Sequence, residues 1–68
     1  MIEELIKNKA EILMVTEKKN VTDITFFIEN WRFPKILEMS VLNENTRIYY
    51  FDYFIKEGYV FVRMEVEK

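Results

Sequence analysis

The chain has 68 residues, half of them hydrophobic, and contains neither cysteine nor histidine. That removes disulfides, thiolate or imidazole metal sites and the commonest acid-base catalyst, and leaves one domain, 1–68, whose core supplies only about 3 to 5 kcal/mol. Ten cations against twelve carboxylates give a net charge of -2, which argues against bulk attraction to phosphate backbones.

Residues Ile2 to Lys18 read as a helix. Ile2, Leu5, Ile6, Ala10, Leu13 and Met14 recur at spacings of three and four, acidic residues open the segment, and Lys18-Lys19-Asn20 closes it with an asparagine in the left-handed C-terminal position. A strand from Glu11 to Glu17, with Leu13 and Val15 alternating against Ile12 and Met14, competes for the second half. A short helix followed by a strand reconciles the two. Val21 to Glu29 alternates Thr22, Ile24, Phe26 and Ile28 with Asp23, Thr25, Phe27 and Glu29, the pattern of a half-buried strand.

Asn30 to Pro34 breaks that strand, because proline cannot donate to a ladder and restricts the residue before it; Trp31 and Phe33 are expected to lie as a lid on the edge of the core. Lys35 to Asn43 fits two patterns. Leu37, Met39 and Val41 alternate as in a strand, while Pro34 suits the first turn of a helix and Leu37 with Val41 fits helical spacing. The strand is preferred, since a loop at Glu44-Asn45-Thr46 then pairs Val41 with Tyr49 and Met39 with Phe51, at the cost of placing Glu38 opposite Asp52.

Arg47 to Glu67 carries the strongest pattern: two runs rich in Tyr, Phe, Val and Ile around Lys56-Glu57-Gly58. A one-residue slip would invert every side chain. An even loop, Glu57-Gly58 or Lys56 to Tyr59, pairs Ile55 with Val60, Tyr53 with Val62, Phe51 with Met64 and Tyr49 with Val66 on one apolar face. An odd loop scatters charge over both. The second face then holds Ile48, Tyr50, Asp52, Phe54, Phe61, Arg63, Glu65 and Glu67, with Asp52 across from Arg63.

These elements predict an α+β fold, an N-terminal helix packed on one face of a four-stranded antiparallel meander sheet; an all-β five-stranded meander or small barrel is the alternative. Tyr50, Phe54, Tyr59, Phe61 and Arg63 share a face that no strand needs to fill with aromatics, and aromatics with a flanking arginine are the residue types that dominate interface energetics. The expectation is a small acidic, non-enzymatic protein-interaction module that binds a larger protein partner, as an inhibitor or accessory protein, and that also self-associates as a homodimer through the aromatic face or an edge strand. No cofactor, metal or small-molecule substrate is expected. The start, MIEELIKNK, lacks an export signal and no apolar run approaches membrane-spanning length, which predicts a cytoplasmic protein with no membrane partner.

Single-stranded nucleic acid is the competing ligand. Gly58-Tyr59-Val60-Phe61-Val62-Arg63-Met64 resembles part of the central strand signature of the RNA-recognition motif, which implies bases stacking on Tyr59 and Phe61. The pattern departs at Glu57, where a basic residue belongs, and at Val60, where Gly or Ala does. Catalysis would have to rest on Asp52, the one carboxylate set among aromatics, and pairing with Arg63 is its expected role.

Overall fold

A computed structural model describes residues 2–39 and 47–68. Helix α1 (Ile2–Lys7) opens on Glu3 and Glu4 and ends on Lys7, in keeping with the helix dipole. It stops there because the chain turns left-handed at Lys9 (φ 72°). The Lys9 N–H donates to the Ile6 carbonyl and the Ala10 N–H to the Leu5 carbonyl, both at 3.0 Å, the paired closure of a Schellman motif. The left-handed end is therefore at Lys9 rather than Asn20, and the helix expected to reach Lys18 gives way to strand β1 (Glu11–Glu17). In this conformation the β1 backbone satisfies the outer side of β2 (Val21–Glu29), which a helix there would leave unpaired.

After β2 come a 3-10 turn, Asn30–Arg32, and helix α2 (Phe33–Leu37), with Pro34 in its first turn. The strand expected over 35–43 is thus helical at its start, and the proline decides it, being preorganised for a first helical turn. The loop expected at Glu44-Asn45-Thr46 and the pairing of Val41 lie outside the described residues. Strands β3 (Ile48–Lys56) and β4 (Tyr59–Glu67) form the expected hairpin. Its two-residue turn has positive φ at both Glu57 (52°) and Gly58 (86°), the type I′ geometry that matches strand twist.

All pairings are antiparallel and the strand order is β1-β2-β4-β3. The fold is the expected α+β with a four-stranded sheet, but the strands do not follow one another as a meander: two hairpins meet through their second strands. Ile24, Phe26 and Ile28 of β2 and Val60, Val62, Met64 and Val66 of β4 line the core face. Leu5, Ala10, Phe33, Ile36 and Met39 cover it from the other layer. Each large apolar side chain so buried contributes roughly 1.5 to 3 kcal/mol. Phe33 is the lid that was expected, packed on Tyr53 at 5.1 Å between ring centroids. Trp31 is not; it stands 69% exposed.

The candidate docking face

Both helices pack on one side of the sheet, so the odd-numbered residues of β2 and β4 form an open face. Register aligns its side chains in rows. Phe54, Phe61 and Phe27 lie in one row across β3, β4 and β2; Asp52, Arg63, Thr25 and Met14 form the next; Tyr50, Glu65, Asp23 and Thr16 the one after. The phenylalanine row is continuous. Phe54 stacks on Phe61 at 5.1 Å with 9° between planes, Phe61 meets Phe27 at 5.5 Å, and Tyr59 sits edge-on to Phe27 at 5.6 Å. Phe54 is nevertheless 59% exposed, and Tyr50 and Tyr59 about 40%.

All five residues singled out from the sequence, Tyr50, Phe54, Tyr59, Phe61 and Arg63, therefore share this face. Phe27 joins them. Its signal was present in the sequence as the one aromatic residue on the side of β2 that also carries Asp23, Thr25 and Glu29, but only the β2–β4 pairing connects it to Phe61.

Arg63 lies opposite Asp52 as expected, yet its ion pair is elsewhere. Its guanidinium donates to both carboxylate oxygens of Asp23, at 2.8 and 3.4 Å. The reason is a like-charge conflict: register places Asp23 opposite Glu65. Lys18 resolves the remainder, at 3.0 Å from Glu65 and 3.6 Å from Asp23. The Arg63 hydrogen bond chiefly holds the Asp23 carboxyl below its ordinary value, and Glu65 chiefly holds the Lys18 ammonium above its own.

Asp52 serves the sheet edge instead. Its Oδ1 accepts the Tyr53 backbone N–H at 2.9 Å and its Oδ2 the Tyr50 hydroxyl at 3.4 Å. In a ladder closed by a two-residue turn, Tyr53 directs its N–H away from β4, so Asp52 occupies a donor that an added strand would use. β3 also carries a bulge at Tyr49, which shifts the pairing so that Ile48, not Tyr49, faces Val66. The opposite edge, β1, is bulged at Leu13. Bulges and edge charges discourage pairing with another strand.

A groove of about 280 Å³ on this face is lined by Thr25, Tyr50, Asp52, Phe54, Phe61 and Arg63 among others. Among the described residues no cluster of three or more acidic side chains is placed to hold a metal, and no helix is long and apolar enough to cross a membrane. Fold and face together define a two-layer α+β domain with helices over one side of its sheet and aromatics bare on the other. Comparison with protein-family models, curated proteins and solved structures gives no match.

Proposed function

We propose that the chain is a non-enzymatic protein-interaction module that works by docking protein onto its open sheet face, and that a second copy of the chain is its first partner. The observation that carries this is the uncovered row Phe54–Phe61–Phe27 with Tyr59 and Tyr50 beside it. Stacked aromatics that remain exposed keep their largest apolar gain for association. The face is of the right order: four strands at about 4.8 Å spacing and nine residues at about 3.3 Å rise span on the order of 600 Å² before side-chain relief, the lower end of the roughly 600 to 1,000 Å² that each partner buries in a standard interface.

The same geometry separates the face from its rivals. Bulges on both edges and Asp52 on the Tyr53 N–H disfavour strand addition. Carboxylates outnumber cations on the face, with Glu11, Asp23, Glu29, Asp52, Glu65 and Glu67 set against Lys18, Lys56 and Arg63, and that balance opposes a phosphate backbone.

Light scattering behind a sizing column tests the reading. The wild type is expected to be a dimer at about 50 μM and Phe54→Ser a monomer with an unchanged far-UV spectrum. A wild type that stays monomeric to millimolar concentration removes the second copy as occupant. Unfolding of Phe54→Ser would place that ring in the core and overturn the docking face itself.

A further inference from the structure

We propose that the groove around Trp31, between the end of α1 and α2, is a second docking site that takes a short acidic segment of a partner protein. The groove, of about 430 Å³, gathers Lys7 from the end of α1, Lys9 from the turn after it, Trp31 and Arg32 from the 3-10 turn, and Pro34 and Lys35 from α2, with Glu38 at the α2 C-cap as the one carboxylate in its lining. Trp31 is the most exposed large hydrophobic side chain among the described residues.

This tryptophan is held in place. Its indole N–H donates to Glu29 Oε2 at 3.3 Å, the Arg32 Nε donates to Glu29 Oε1 at 2.9 Å, and the Arg32 guanidinium lies 4.0 Å from the ring centroid. One carboxylate thus fixes both the ring and the cation stacked on it. An anchor immobilised before binding loses less freedom when a ligand arrives, and tryptophan and arginine are the side chains on which interfaces most depend.

The charge selects the ligand. Glu29 already answers Arg32, and Lys35 meets Glu38 only at 3.9 Å with both ends well exposed. No ion pair involves Lys7 or Lys9 among the described residues. Lys9 moreover occupies the left-handed position, φ 72°, where glycine is the unstrained choice. Four of the ten cations therefore stand around one tryptophan beside two of the twelve carboxylates, Glu29 and Glu38, leaving six cations to face ten carboxylates over the rest of the chain. A long polyanion such as a nucleic acid would leave the groove and run onto that acidic surface. A short acidic segment with one apolar residue for Trp31 and Pro34 would not.

Trp31 is the only tryptophan, so its emission reports on the groove directly. The probe is a capped five-residue peptide of four glutamates around one leucine, with a glutamine-for-glutamate version and oligothymidylate as comparisons. The acidic peptide is expected to shift Trp31 emission to the blue, saturably and less tightly at higher salt, and equally in Phe54→Ser. A folded Lys7→Gln/Lys9→Gln variant should bind roughly tenfold more weakly, as suits two exposed contacts of modest worth. The proposal fails if millimolar peptide leaves the emission unmoved, if the glutamine peptide binds equally well, if the double variant binds undiminished, or if oligothymidylate binds more tightly than the peptide.

Discussion

Replacing Lys9 by glycine should stabilise the domain, and the size of the gain can be worked from the α1 terminus. A left-handed conformation costs an L-residue about 1 to 2 kcal/mol, because Cβ crowds the following carbonyl. Glycine escapes that cost but brings extra freedom to the unfolded chain, worth about 0.4 to 1 kcal/mol in the other direction. Removing a cation from the end of a helix forfeits a further 0.3 kcal/mol or so. No ion pair of Lys9 among the described residues is broken. The net expectation for Lys9→Gly is a gain of about 0.5 kcal/mol, which in a domain of this size raises the melting midpoint by about 2 to 4 °C. Thermal and urea unfolding followed by Trp31 emission and circular dichroism would measure it. Lys9→Ala is the control, since alanine keeps Cβ and hence the strain, and it should gain nothing. If glycine destabilises, or if alanine stabilises as much as glycine, the Schellman closure is not what holds this turn. A glycine variant that is more stable yet binds acidic peptide less well would show what the lysine is kept for.

Two further outcomes follow from the packing and the charge network. Ile24 is fully buried, and Ile24→Ala should cost about 2 to 5 kcal/mol, enough to unfold most of the population in a urea titration begun at 25 °C, whereas Phe54→Ser leaves the domain folded. Asp23→Asn should destabilise at neutral pH by about 1 to 2 kcal/mol, less than for a fully buried pair because Arg63 can rehydrate. The sign of its pH dependence is set by the lowered Asp23 value: the carboxylate contributes fully above its unfolded value of 3.8 and loses that contribution as pH falls through the lower folded one. The gap between wild type and Asp23→Asn in urea midpoints should therefore close below pH 3.8, and a gap that stays constant into acid would show that the ion pair is not its source.

The β3–β4 hairpin was legible because its register is a local matter. The pairings of Ile55 with Val60, Tyr53 with Val62 and Phe51 with Met64 follow from face chemistry around one turn. They fail at Tyr49, where a bulge intrudes that no period-two pattern announces. The strand over Glu11–Glu17 was half legible, since its apolar residues satisfy both spacings and only the need of β2 for a neighbour decides between them. The pairing of β2 with β4 was not legible at all. Val21 and Glu67 are partners across most of the chain, and nothing in either strand names the other. That one missing contact hid Phe27 from the docking face and Asp23 from Arg63. Trp31 escaped for a different reason: composition says that a tryptophan beside proline tends to cover something, while its exposure is fixed by the clamp of Glu29 on Arg32.

The order of the strands also makes this chain, in effect, two halves of one object. Each hairpin closes locally, on the microsecond scale typical of hairpins, but neither has a core alone: the buried faces of β2 and β4 exist only when they meet. A break between Met39 and Arg47 would leave both hairpins intact, one carrying α1, α2 and the Trp31 groove, the other most of the aromatic face. The two pieces would then have to recognise each other through the central ladder, with assembly becoming a matter of concentration. The seam along which this molecule folds is thus also the seam along which it could be divided and rejoined.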